Sequence, residues 1–430
     1  MTGRLPAVDS PAWVGAGAVV AGSATYGLLV VVARALGPSA YAEFSLFWAA
    51  IVIVSLGTFL PVEQVLARWT ARRDGPSGAR EPLGAGLRVG GLLVVPGVVA
   101  HAMVWLGQGE QHARSLLVTV VVAFAVACAG FALQFPARGV LAGLHSLRDY
   151  AVVISVDAVL RAVVAGALWV VGVRSVGPYV ATVAGSSLVC GVVGLVLVRR
   201  RRRSLGHETV TRTPAATEPS EPSVGREVGT LVVATLGMQL LLNSGTVVAG
   251  IASTGAEAVL AGHVLAVITL ARLPVFVAQS AQASYVARIA SYAHRGQRAE
   301  LRRLLTVLAG AVLVVGSVSV LVAGVWGPPL VSLVFGPGYT VSWTMTLLLA
   351  SGVAVYLVAS VSNDVAVALG AQRRLGVAWV VGAAGAALVA VVVPDLVLRS
   401  ALPLVVGSVV AGALILPDVV ARVRGVRSAW

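Results

Sequence analysis

Apolar runs of about twenty residues, separated by short polar gaps, recur about twelve times along this chain. A helix rises 1.5 Å per residue, so each run is long enough to cross about 30 Å of hydrocarbon. Six spans read as Trp13–Val32, Phe44–Val65, Val89–Leu106, Ser115–Phe135, Ala151–Gly172 and Pro178–Val198. Six more read as Val228–Ala249, Ala256–Ala278, Leu304–Val325, Val341–Val361, Leu375–Val393 and Leu402–Val419. Between the sets lie the run Arg199 to Arg203 and then Ser204 to Gly225, rich in Thr, Pro, Glu and Ser, which reads as a disordered linker. The pattern predicts an all-α polytopic membrane protein: an N-terminal six-helix bundle (1–198), a cytoplasmic Arg-rich linker (199–227), and a C-terminal six-helix bundle with a short basic tail (228–430). Six is even, so both halves enter the membrane from one side, as parallel repeats do. A weak echo of duplication joins Gly37 to Phe44, between spans 1 and 2, with Gly255 to His263, between spans 7 and 8.

The polar gaps fix the orientation. All 31 basic residues are arginine, and the even-numbered gaps and the two ends hold all but six of them: Arg34, Arg114, Arg174 and Arg399 in odd gaps, Arg161 and Arg272 inside apolar runs. Cytoplasmic loops collect arginine, so both termini are expected in the cytoplasm.

Composition removes other classes. With 58% hydrophobic and 11% charged residues, the chain is far from a soluble domain, which carries about a quarter charged residues. The net charge of +14 would ordinarily suggest nucleic acid as a partner. Here it sits in short membrane-flanking gaps, where it sets topology and attracts anionic membrane lipids, and no nucleic-acid partner is expected. The dominance of Val and Ala over the apolar runs, with lysine absent, reads as a GC-rich bacterial coding bias. Cys128 and Cys190 both fall in apolar runs and read as buried small hydrophobes. Met1 to Pro11 is polar and leads straight into a full span, so no cleavable signal peptide is expected.

Several motifs follow in order. Ala33-Arg-Ala-Leu-Gly-Pro-Ser-Ala-Tyr-Ala-Glu-Phe44 links spans 1 and 2; Glu63 and Arg68 close span 2; Arg138-Gly-Val-Leu-Ala-Gly-Leu-His-Ser-Leu-Arg-Asp-Tyr150 links spans 4 and 5. Ala271-Arg-Leu273 lies in span 8, Phe335-Gly-Pro-Gly-Tyr339 precedes span 10, and Ala368-Leu-Gly-Ala-Gln372 precedes span 11. In these the chain resembles the polysaccharide and oligosaccharide-lipid flippases of the MOP exporter superfamily, over nearly its whole length. Ala42 departs from the glycine usual in the first motif, and the second-half copy is irregular. The resemblance implies two six-helix bundles around a central cavity opening to one side at a time. It implies a polyprenyl-diphosphate-linked glycan as cargo, moved across the bacterial cytoplasmic membrane, with glycosyltransferases or a polymerase of the same pathway as further partners. Twelve spans argue against the peptidoglycan-precursor flippase, which usually has fourteen.

Intramembrane polar groups are the candidate site. Arg272, in the middle third of span 8, is the sharpest: a guanidinium fork matches diphosphate oxygens bidentately. The resemblance places an arginine there on a cavity-facing helix; bonding to a neighbouring helix's carbonyls is the structural alternative. Gln239 and Asn243, four apart, share a face of span 7 and suit a sugar or a helix contact. Asp157 and Arg161, also four apart, read first as a self-neutralised pair and second as a ligand site or proton-linked switch. Glu63 follows Pro61, where a kink is expected, and reads either as an inner-gate acid paired with Arg68 or Arg72 or an ion-coupling acid, or equally as a solvated helix end. Asp364 and Asn363, at the end of span 10, face the same choice. Gln134 and Gln279, like His101 and His263, read as structural hydrogen-bonding groups.

No enzyme is expected. The odd gaps are short, the longest being Trp326 to Thr340, and no metal-ligand cluster, phosphate loop or Ser/His/Asp arrangement stands out, so neither metal nor cofactor is expected. Three functions compete: an oligosaccharide-lipid flippase, a multidrug or small-molecule cation exporter of the same superfamily, and a non-transporting scaffold for glycan synthesis. An exporter of cations would want acids deep in its cavity, and Asp157 faces Arg161.

Overall fold

The computed structural model describes residues 9–72, 80–107, 114–205, 224–251, 257–370 and 374–424. Of the segment Ser204 to Gly225, expected to be disordered, Ser204 and Leu205 end one helix and Val224 and Gly225 begin the next, while 206–223 lie outside the described residues, as do Gly255 and Gln372 of the sequence motifs. Every extended element among the described residues is helical, as lipid demands: only a helix satisfies each backbone group within its own segment. The order is α1 (Pro11–Val54), a π-turn (Ser55–Phe59), α2 (Leu60–Arg72), α3 (Arg80–Leu106), α4 (Arg114–Gly143), α5 (Leu147–Val170), α6 (Val176–Leu205) and α7 (Val224–Ile251). Then come α8 (Ala258–Ala271), α9 (Leu273–His294), α10 (Arg298–Phe335), α11 (Trp343–Ala368), α12 (Leu375–Val392) and α13 (Leu396–Arg424).

Eleven described stretches are long and apolar enough to cross a bilayer, so the chain is a multi-pass membrane protein. The first stretch, Ala12–Ala71, is 60 residues long and holds spans 1 and 2, which gives twelve crossings. Its break is a single residue: Gly37, at φ 74° and ψ 174°, followed by Pro38. A left-handed φ is open to glycine and strained for other residues. The gap of some ten residues expected there is therefore helical on both sides of Gly37.

Other departures have the same kind of cause. Span 4 was expected to end at Phe135; α4 instead continues through Pro136 to Gly143, so Arg138 stands on a helix. The widest odd gap was expected at Trp326 to Thr340, yet α10 runs through Pro328 and Pro329 to Phe335. At Pro61 the missing N–H leaves the Gly57 carbonyl without its helical donor. The chain widens there into the π-turn, and the Thr235 hydroxyl of α7 donates to Gly57 O at 2.7 Å.

The helices form two compact units, Met1–Ala35 with Ala50–Leu236, and Leu36–Ala49 with Gly237–Trp430. The segment 36–49 thus belongs by its contacts to the second unit, although its neighbours in sequence belong to the first. In the first unit, α4 packs against α6 and α2 at near backbone contact. A Cβ at Gly130 would lie 2.5 Å from the Ser187 carbonyl carbon, and one at Gly139 would lie 2.6 Å from the Glu63 carbonyl oxygen. Lipid provides no hydrophobic force between helices, so such close approach of small residues holds them together. The second unit is centred on α11, with Tyr356, Leu357, Trp379 and Leu241 among its buried residues. Cys128 and Cys190 are both buried and unpaired.

Gly130→Ala should destabilise the first unit by roughly 1–3 kcal/mol through overpacking. Gly166→Ala, where an added Cβ meets nothing within 4 Å, should be neutral or slightly stabilising. Thermal unfolding of the two variants in the same detergent decides it; equal stability would remove the close α4–α6 contact from the account.

Candidate functional site

Pro274 has no N–H to continue the helical ladder, and the helix breaks just before it. Arg272, expected within a continuous span, sits instead at the junction of α8 and α9 (φ −80°, ψ −8°). Its half-buried guanidinium reaches α7, where Nη1 donates to Asn243 Oδ1 (3.1 Å) and Nη2 donates to Leu242 O (2.5 Å) and Thr246 Oγ1 (2.9 Å). Asn243 in turn donates from Nδ2 to Gln239 O (2.9 Å) and Oε1 (3.4 Å). Gln239, Asn243 and Thr246 recur every three to four residues and so share one helix face. These acceptors are uncharged, and they orient the fork. Beside it is a small cavity of about 10 Å³ lined by Leu242, Gly245, Ile268, Arg272, Val353 and Ser400, room for about one water.

The second unit also holds an acid. Asp364 of α11 is 4% exposed and accepts from Tyr285 Oη (2.5 Å), Gln282 Nε2 (2.7 Å) and Asn363 Nδ2 (3.5 Å). Asn363 is held by Trp379 Nε1 at 2.8 Å, and the Trp379 ring packs on Tyr356. Among the described residues every donor to Asp364 is uncharged.

In the first unit the intramembrane acids Glu63 and Asp157 each pair with an arginine. Glu63 was expected to meet Arg68 or Arg72; its partner is Arg138, at 2.9 Å, from the extended end of α4. Tyr150 donates to Glu63 Oε1 (2.8 Å), Arg138 donates to Tyr150 Oη (3.3 Å), and the guanidinium lies over the Phe135 ring. Arg68 instead joins Glu227 at the start of α7 (3.5 Å), where Trp69 Nε1 also donates (3.3 Å); the Arg72 side chain lies outside the described residues. Asp157 and Arg161 form the intrahelical pair their spacing implied, with Arg161 Nε also donating to Asp157 O.

The structure therefore brings together Arg272, Asn243 and Gln239, and separately Asp364 with Asn363, while Glu63 and Arg68 part company. Elsewhere, the His263 ring meets Gly338 O at 3.1 Å, His101 stacks on Phe124, Gln134 is buried, and Gln279 is exposed. Sequence reasoning missed Thr246, Arg138, Tyr150, Gln282, Tyr285 and Trp379. Thr246 was findable, three residues beyond Asn243 on the same face. Arg138 was counted as a topology signal because a helix end and a loop look alike in sequence.

No protein-family model matches the chain. It is 28% identical over 421 residues to Uncharacterized protein Rv3630 of Mycobacterium tuberculosis, covering 95% of this chain and 91% of that one. It is 27% identical over 414 residues to Uncharacterized protein Rv1510 of the same organism, covering 94% and 90%. Among solved structures it is similar to a multidrug resistance MATE family transporter of the MOP superfamily, inward-facing, with TM-score 0.69, 13% identity, and coverage of 95% of this chain and 98% of that one. An outward-facing MATE transporter gives TM-score 0.66 at 13% identity, covering 96% and 95%. A MOP-superfamily transporter from Pyrococcus furiosus, described as having a binding pocket of reverse polarity, gives 0.63 at 14% identity, covering 97% and 96%. The chain has the fold of these proteins.

Breaking one side of a buried ion pair strands the other charge, at a cost of about 3–5 kcal/mol, whereas an exposed pair is worth under about 1 kcal/mol. Arg138→Ala and Glu63→Ala should therefore each destabilise strongly, and Arg68→Ala hardly at all. If thermal unfolding showed Arg68→Ala to be the costly change, the assignment of Arg138 as the partner of Glu63 would be wrong.

Proposed function

We propose that this protein translocates a polyprenyl-diphosphate-linked oligosaccharide across the bacterial cytoplasmic membrane by alternating access. The observation that carries this reading is the guanidinium fork of Arg272, fixed by Leu242, Asn243 and Thr246 at a helix break within a membrane span. A charge at the bilayer centre costs several kcal/mol, so a diphosphate needs a cationic, hydrogen-bonding surface to replace its lost hydration. A planar fork meets phosphate oxygens two at a time. Gln239 and Asn243, on the same face of α7, supply amides suited to sugar hydroxyls. The solved neighbours are transporters rather than enzymes and occur in inward- and outward-facing states, which supports alternating access. In this reading halves 1–198 and 228–430 are joined by linker 199–227, and the arginine pattern puts that linker and both termini in the cytoplasm. Glycan-building enzymes of the same pathway are the partners this cargo implies, and anionic lipids suit the arginine-rich gaps.

One observation favours a second reading. Asp364 is a buried carboxylate held by uncharged donors, which suits a transported cation or a coupling proton, as in a cation exporter. In the flippase reading it is the coupling acid, and Glu63, sequestered by Arg138, acts with it only if that pair opens.

Undecaprenyl diphosphate and ethidium, titrated into the purified full chain, separate the two. Arg272→Lys keeps the charge and loses the fork, so it should weaken undecaprenyl diphosphate binding about tenfold, roughly 1.4 kcal/mol, and Arg272→Ala should weaken it further. Ethidium binding lost in Asp364→Asn, with no binding of undecaprenyl diphosphate, would establish the exporter; binding of neither would favour the scaffold. In proteoliposomes, Asp364→Asn should abolish any dependence of transport on an imposed proton gradient.

A further inference from the structure

Two glycine-proline motifs that the sequence sets almost three hundred residues apart meet in the second unit. The first supplies Gly37, Pro38 and Tyr41; the second supplies Phe335, Gly338 and Tyr339. Tyr41 is 1% exposed, its ring centroid 6.2 Å from those of both Phe335 and Tyr339, and its hydroxyl lies 3.2 Å from Thr269 Oγ1. His263 packs beside Tyr339 and contacts Gly338 O. The segment lies on α8 and α7 without intervening side chains: a Cβ at Gly262 would fall 2.0 Å from Pro38 O, and one at Gly250 would fall 2.8 Å from Leu46 Cβ. Thr269 is three residues before Arg272 on α8, so the seat of Tyr41 is one turn from the proposed ligand site.

The chain on both sides of this segment, up to Ala35 and from Ala50, belongs to the first unit. Its joints are a left-handed glycine at Gly37 and the helix that leads into the π-turn at Ser55–Phe59. Both motifs fall in odd, arginine-poor gaps, the face that the charge pattern assigns to the outside. From these observations we propose that segment 36–49 is a detachable plug of the second unit, with Tyr41 as its anchor and Gly262, Thr269, Phe335 and Tyr339 as its socket. The plug leaves the socket when that end opens to release cargo. This rests on the reading of the chain as an alternating-access transporter.

The test uses the full chain in liposomes, with Cys128→Ala and Cys190→Ala to remove the native thiols. Ala42→Cys, at a fully buried plug position, is reacted with a water-soluble maleimide. Labelling should be slow in the parent and rise at least about tenfold in Tyr41→Ala, less than the full value of an inserted aromatic ring. Gly262→Leu, whose side chain would run into Pro38, should give the same rise, and this second variant guards against a folding defect peculiar to the first. Unchanged labelling in both variants overturns the proposal. A disulfide between Leu46→Cys and Gly250→Cys should stop transport of undecaprenyl diphosphate, and dithiothreitol should restore it; full transport by the oxidised protein also overturns the plug. If the reduced protein fails to move that lipid, the cargo assignment falls, and the labelling result still judges the plug.

Discussion

An unpaired backbone group in hydrocarbon costs several kcal/mol, and this chain repeatedly puts prolines where its helical ladder must run. The places where the ladder is broken are the places where something else happens. At Pro61 the ladder opens into a π-turn and borrows the Thr235 hydroxyl from α7. At Pro274 it stops for one residue, and that residue is Arg272. At Gly37–Pro38 it breaks at a left-handed glycine, and the following segment joins the other unit. A straight, proline-free helix would satisfy the lipid equally well, but it would leave Arg272 on an ordinary helix surface and segment 36–49 without a joint.

The buried charges sort by unit. In the first, each intramembrane acid named above faces an arginine: Asp157 with Arg161, Glu63 with Arg138. Such pairs hold helices in register and offer little net charge to a ligand. In the second, Arg272 donates to Asn243, Leu242 O and Thr246 of α7, and Asp364 accepts from Tyr285, Gln282 and Asn363. Tyr356 lies in the apolar centre of that unit. In the proposed function Arg272 serves the diphosphate and Asp364 the coupled cation or proton.

How much of this could be read from sequence depended on range. The twelve crossings follow from hydropathy because membrane thickness fixes their length. The Asp157–Arg161 pair and the shared face of Gln239 and Asn243 follow from helical spacing alone. The Glu63–Arg138 and Asp364–Tyr285 contacts join residues on different helices, and nothing local marks them. Helix ends were misjudged at Phe135 and Trp326 because proline normally stops a helix, whereas lipid makes stopping costly. The exchange of segment 36–49 between units has no signature in the pattern, although the two glycine-proline motifs that dock together each stood out in it.

The most direct measurement is the surface glycan of a strain lacking this gene, taken together with its pool of polyprenyl-diphosphate-linked sugars. The account predicts loss of one surface polymer and accumulation of its lipid-linked unit on the cytoplasmic face, restored by the wild-type chain and not by Arg272→Ala. An unchanged glycan with an unchanged lipid pool would contradict it.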